Sequence, residues 1–130
     1  MTNYKNLDAW KQGMALVELI YGITKDYPID ERYGLISQTR RAAVSVPSNI
    51  AEGLGRNHKK DTIQFLHISR GSLYELETLL EIAVMTKYIE ESSAMPVRKQ
   101  LNDCIRLMNG LIRYFENMVE KQGSSGTSKS

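Results

Sequence analysis

The sequence holds one cysteine, three prolines, two phenylalanines, one tryptophan and two histidines in 130 residues. A lone thiol, Cys104, excludes an internal disulfide framework and any zinc site built on paired cysteines. Long uncharged stretches are missing too. The longest, Ala42–Ala51, has ten residues, where a membrane-crossing helix needs roughly 20 apolar ones. The opening Met1-Thr2-Asn3-Tyr4-Lys5 has no apolar h-region, so no secretory signal and a cytoplasmic location are expected. Net charge is only +2, too small to mark a nucleic-acid binder from totals. What is present, 42% hydrophobic and 25% charged residues, is the profile of one globular domain.

The small total conceals an uneven distribution. Residues 30–73 carry seven basic side chains (Arg32, Arg40, Arg41, Arg56, Lys59, Lys60, Arg70) against four acids. Residues 74–91 carry five glutamates against Lys87, and residues 92–122 five basic side chains against three acids. Such a dipolar pattern suits self-association or a charged partner. It is also what ordinary solvated helix faces look like.

Apolar residues recur at helical, not strand, spacing. Leu7, Trp10, Met14, Val17, Tyr21 and Thr24 form one line, with Leu16, Ile20, Ile23 and Tyr27 beside it. Leu66, Leu73, Leu76, Leu80 and Ala83 form another, widened by Phe65, Ile68, Leu79 and Ile82. A fourth segment runs Val97, Leu101, Cys104, Ile105, Met108, Leu111, Ile112, Phe115, Met118 and Val119. Breaks fall at Asp26–Asp30, at Gly53–Asn57 and at Glu90–Ser93. There Asp30 and Asn57 are the expected helix caps, and Pro96 is expected in a first turn. The pattern predicts an all-α, antiparallel up-down four-helix bundle over residues 1–122, with helices of about 20–28 residues. A disordered Gly/Ser-rich tail is expected over 123–130. The broad apolar faces of helices one and three suggest cover by another subunit.

The second segment begins at Asp30 and carries Tyr33, Leu35, Ile36, Thr39, Ala42, Ala43, Val46, Ile50 and Leu54 at helical spacing, with Pro47 inside it. An interior proline removes a backbone hydrogen bond and costs about 3 kcal/mol, so a long helix kinked near Pro47 is expected. Gln38, Arg41, Ser45, Asn49, Glu52 and Arg56 share one narrow stripe of that helix. The structural reading is a buried polar network, partnered by Arg70, Gly71, Ser72 and Glu75 of the next helix, where Gly71-Ser72 would permit close packing on the second helix. The functional reading is a ligand or RNA contact.

The stretch Gly34-Leu-Ile-Ser-Gln-Thr-Arg-Arg-Ala-Ala-Val-Ser-Val-Pro-Ser-Asn-Ile-Ala-Glu-Gly53 resembles the signature of bacterial four-helix-bundle proteins encoded in 23S rRNA intervening sequences. The later Phe65–Leu76 stretch fits that family, as do Leu7, Trp10, Tyr21 and Pro28. The same family includes the accessory variability proteins of diversity-generating retroelements. The resemblance spans nearly all of residues 5–120 and is least specific in helix four. It implies a four-helix bundle and a ring-like homopentamer. For the retroelement members it also implies binding to a reverse transcriptase and to RNA.

Two basic clusters are the nucleic-acid candidates read from chemistry. Arg56, His58, Lys59 and Lys60 lie around the start of helix three, where free N–H groups favour phosphate. Lys99, Arg106 and Arg113 recur every seven residues on helix four, with Arg98 beside the first, making a stripe about 20 Å long. Either cluster can equally be a solvated face. No aromatic-interleaved basic strand offers base readout, so RNA contact is expected to be backbone-directed.

An enzyme is not expected. Neither His58 nor His67 belongs to a His-Glu-x-x-His or Glu-x-x-His pattern, and no phosphate-cradling Gly-x-x-x-x-Gly-Lys occurs. No metal, cofactor or small-molecule substrate is expected. The reading is a homo-oligomeric scaffold for structured RNA or an RNA-handling protein. The alternative is a protein-interaction module without a nucleic-acid role.

Overall fold

The computed structural model describes residues 3–128, with side-chain surroundings through Gly123. Four α-helices follow in order: α1 (Asp8–Thr24), α2 (Leu35–Leu54), α3 (Lys59–Met85) and α4 (Glu91–Ser128). Short 3-10 turns precede α1 (Tyr4–Asn6) and α2 (Ile29–Glu31), and there is no strand among the described residues. Within that range α1 packs on α2 and α4, α3 packs on α2 and α4, and the diagonal pairs do not meet. This is a four-helix bundle around a single core. Among the described residues no helix is long and apolar enough to cross a membrane.

The core is built from the predicted lines on three helices. Leu66, Leu73, Leu76, Leu80 and Ala83 of α3 are buried, as are Val97, Leu101, Cys104, Met108, Ile112 and Phe115 of α4. On α2 the buried set is Leu35, Thr39, Ala42, Ala43, Val46, Pro47, Ile50 and Gly53. On α1 the second of the two lines faces inward. Leu16, Ile20 and the following Tyr27 are buried, while Met14 and Tyr21 are 44% and 38% exposed.

Several boundaries differ from the expectation. α2 starts at Leu35, not Asp30, because Ile29–Glu31 forms a separate 3-10 turn first. Glu31 then serves both loops at this end. One carboxylate oxygen accepts the Leu35 N–H at 3.0 Å, satisfying an open donor of the first turn of α2. The other accepts the Tyr88 hydroxyl at 2.8 Å, from the α3–α4 connection. The Leu35 N–H, with help from the Tyr88 hydroxyl, holds the Glu31 carboxyl below its ordinary range. α3 starts at Lys59, so its N-cap is His58 rather than Asn57, with no side-chain cap bond. α1 has 17 residues and α4 has 38, outside the expected range. Because α4 begins at Glu91, Pro96 lies in its second turn. Ser92, whose carbonyl loses its partner there, is exposed. α4 continues to Ser128 through most of the segment read as a tail. Residues 129–130, and side chains from 124 onward, lie outside the described residues.

Pro47 sits inside an uninterrupted α2. Hydrogen bonds gather on either side of it. The Ser69 hydroxyl of α3 donates to the Val46 carbonyl at 2.8 Å. The Asn49 amide donates to the Ser45 carbonyl and hydroxyl, both at 2.8 Å. α1 closes over the ring with Gly13, where a Cβ would lie 3.3 Å from Val46 Cγ1 and 3.6 Å from Pro47. A still tighter approach occurs at Gly53, where a Cβ would stand 2.9 Å from Phe65 Cβ and 3.1 Å from the Thr62 carbonyl. The Thr62 hydroxyl donates to the Gly53 carbonyl at 2.8 Å, joining α2 and α3 at that contact.

Candidate functional site

The polar stripe of α2 divides into an inner and an outer part. Ser45, Asn49 and Ser72 form the inner part, with the Ser72 hydroxyl donating to Ser45 Oγ at 2.8 Å across the α2–α3 seam. Ser69 belongs with them and was not read from the sequence. Its signal is its place three residues before Ser72 on the same helix face. At the outer edge the Gln38 amide reaches Glu75 at 3.4 Å. Glu52 pairs with Arg56, at 3.0 Å on the surface. Arg70 turns away from α2, donating to Asn109 of α4 and contacting His67 Nδ1, each at 2.9 Å. Arg41 is exposed and joins no network among the described residues. In place of the expected single network there is a short, partly buried chain with solvent-exposed ends. A long arginine on the rim of α2 gains more from hydration than from an unpaired burial.

The start of α3 and the α4 turn of Arg113 share one end of the bundle, although Arg113 lies about 200° around α4 from Phe115. Lys59 is partly buried, its Nζ 5.5 Å from the centre of the Phe115 ring. That contact brings the start of α3 beside the α4 turn that carries Arg113. A groove of about 380 Å³ lined by Leu7, Leu54, Lys59, Leu111, Tyr114, Phe115 and Met118 lies between them. His58, Lys60, Lys99, Arg106 and Arg113 are exposed. Arg106 has a weak partner in Asp103 at 3.5 Å. Arg56 is more committed: besides its Glu52 pair, its guanidinium lies 4.6 Å over the Phe65 ring.

Arg98 belongs with the acids instead of the basic stripe. Its guanidinium is clasped by Glu81 of α3 and by Glu91, the latter at 2.9 Å. Hydrogen bonding to Glu91 and then Glu81 raises its affinity for its proton, and the same contact lowers the Glu91 carboxyl. The sequence places Arg98 next to Lys99, but one residue is 100° around a helix. That angle turns Arg98 into the α3–α4 groove.

A second basic surface was not assigned as a site from sequence. A groove of about 630 Å³ runs along α1 and α2 and is lined by Tyr21, Arg32, Tyr33, Ile36, Ser37, Arg40, Arg41, Val44 and Ser45. Arg40 is fixed in it, donating to Thr24 Oγ1 at 2.9 Å and lying 4.6 Å over the Tyr21 ring. Arg32 and Arg41 are exposed, and Tyr33 is 88% exposed. The signal for this surface is the adjacency of Arg40 and Arg41, which a helix must splay to two sides.

Cys104 is buried in the α4 core line, and burial pushes its thiol up to about 11. Thiolate is the reactive form, so it is scarce near neutrality. Ellman's reagent at pH 8 is expected to react with the folded protein at least about 100-fold more slowly than with the urea-unfolded chain. Equal rates would place Cys104 outside the core.

Comparisons with known proteins agree with this architecture. A crystal structure of a protein of unknown function from the S23 ribosomal protein family of Bacteroides thetaiotaomicron VPI-5482 superposes with a TM-score of 0.75. The two share 20% identity, and the match covers 81% of this chain and 95% of the other. At that identity the likeness speaks for the fold alone. No curated protein matches the chain. The family model for the 23S rRNA-intervening sequence protein matches residues 5–110, which contain all of α1, α2 and α3 and the first half of α4. The chain therefore belongs to the 23S rRNA-intervening sequence protein family.

Proposed function

We propose that this protein is a non-enzymatic, cytoplasmic, homo-oligomeric scaffold that binds structured RNA, or an RNA-handling protein such as a reverse transcriptase, through its basic exterior. The protomer is an antiparallel up-down bundle with α2 bent at Pro47, and five protomers close a ring. The antiparallel order is supported by contacts whose numbers run in opposite directions, Gln38 with Glu75, Ser45 with Ser72, and Gly53 with Thr62. The bend follows from the hydrogen bond that proline cannot make and from its clash with the preceding turn. The ring of five and the retroelement connection rest on the resemblance of the α2 signature.

One observation carries the RNA reading: Lys99, Arg106 and Arg113 stand exposed at seven-residue spacing along α4, and His58 and Lys60 stand exposed at the start of α3. Most of these side chains are exposed and lack a close carboxylate, so a phosphate chain meets little competition for them. Repetition in an oligomer multiplies the field well beyond a net charge of +2. Recognition by such a surface follows shape and backbone charge, without base readout.

The test is a binding titration of the purified oligomer against a structured RNA over 50–200 mM salt. The expected result is log affinity falling linearly with log salt, at a slope of about 0.7–0.9 per phosphate neutralised. Absence of binding at 50 mM salt would reject the RNA reading. Recovery of a stoichiometric protein partner after nuclease treatment would then support a protein-interaction module.

A further inference from the structure

We propose that the α1–α2 groove is a socket for the outer face of α3 of a second copy of this chain, so that protomers join head to tail. The inference rests on the self-assembly proposed above and names the surfaces that achieve it. The socket pairs an apolar floor (Tyr21, Ile36, Val44) with the cations Arg32, Arg40 and Arg41, and no acidic or lysine side chain lines it. Aromatic and arginine residues without lysine are the composition of protein–protein interfaces.

The same chain carries a complementary surface. Gly71, Tyr74, Thr78, Glu81 and Met85 form the exposed line of α3, with Tyr74 47% and Met85 73% exposed. Glu75 and Glu77 flank Tyr74 in the segment with five glutamates and one lysine. Gly71 adds an independent observation. It lies in the middle of a 27-residue helix, where glycine weakens the helix, yet a Cβ there would meet nothing within 4 Å. Nothing in its own protomer requires the missing side chain, whereas close approach by a neighbour does.

The levels also match. The contacts of Gln38 with Glu75 and Ser45 with Ser72 place the plug residues at the same height along the bundle as the socket residues. Side-by-side copies then engage by rotation without a rise. That closes a ring, whereas a rise would give an open filament. In the contact Tyr74 enters beside Tyr21 and Val44, and Glu75 faces Arg41.

The experiment measures the solution mass of the full chain across concentrations by sedimentation velocity, for wild type, R41E, E75R, R41E/E75R and Gly71→Leu. Circular dichroism checks that each is folded. Arg41 and Gly71 have open surroundings, so their variants should keep the protomer's helicity. Each single variant is expected to raise the half-assembly concentration at least about tenfold, and the charge swap R41E/E75R to recover most of that loss. A wild type that sediments as a protomer overturns both the self-assembly reading and the socket. An assembled wild type whose mass survives R41E, E75R and Gly71→Leu overturns the socket alone. So does an R41E variant that stays assembled but loses RNA binding, which would give the groove to a phosphate chain. A swap that recovers nothing separates Arg41 from Glu75 and rejects the pairing.

Discussion

Leu73→Ala is expected to destabilise the protein by about 3–4 kcal/mol, the upper part of the range for a large core side chain cut back to a methyl. Leu73 is fully buried at the middle of α3, the helix that packs on both α2 and α4. Its side chain therefore sits where collapse of either neighbour into the void would strain the other. Ile68, five residues earlier on the same helix and 52% exposed, provides the contrast. Ile68→Ala should change stability by no more than about 0.5 kcal/mol. Urea unfolding at one fixed protein concentration reads both, as midpoint shifts with an unchanged slope. Equal shifts for the two variants would mean that α3 does not present this face to the core.

The second large effect concerns binding. Reversing three charges of α4, in the variant K99E/R106E/R113E, should lower the salt slope of RNA binding by about 3 for each subunit that touches RNA. Loss of affinity at 50 mM salt should reach at least about a hundredfold, because each added carboxylate also repels phosphate. Thermal stability should change little, since all three side chains are exposed and only Arg106 has a partner, at 3.5 Å. R98E is the internal control of opposite character. It should disturb the α3–α4 clasp with Glu81 and Glu91 while leaving the salt slope near that of wild type. An unchanged affinity in the triple variant would move the RNA surface away from α4.

Much of the bundle could be read from spacing alone. The main α3 line and the α4 positions Val97, Leu101, Cys104, Met108, Ile112 and Phe115 are buried, while Ile105, Leu111, Met118 and Val119 of α4 are partly buried and Ile68, read as widening the α3 face, is 52% exposed. α1 shows where that reading ends. It carries two adjacent stripes, and periodicity has no term for which of them a neighbour covers. Packing chose Leu16 and Ile20, leaving Met14 and Tyr21 exposed. The start of α2 was missed for a related reason. The usual signal is a capping Ser, Thr, Asp or Asn beside the first turn. Here the acceptor is Glu31, reaching forward four residues from a separate turn.

The candidate sites depended on angle more than on composition. Arg98 and Lys99 are neighbours in sequence, yet one meets two glutamates and the other meets water. Glu91 lies seven residues earlier on the same face of α4, whereas Glu81, 17 residues away, is brought to Arg98 by the α3–α4 turn. Arg40 and Arg41 divide in the same way, one laid over Tyr21 and the other free on the rim. The contact of Lys59 with Phe115 brings together residues 56 positions apart in the chain, and no local pattern foretells it.

The Ser69 bond to the Val46 carbonyl bears on how the molecule opens. It lies beside the one place where the hydrogen-bond ladder of α2 is cut by proline. If α3 swings away, that turn of α2 loses its outside donor just where its own ladder is weakest, and must rehydrate. Transient breathing should therefore release α2 and α3 together, as one cooperative hairpin, with amide exchange on either side of Pro47 tracking exchange around Ser69.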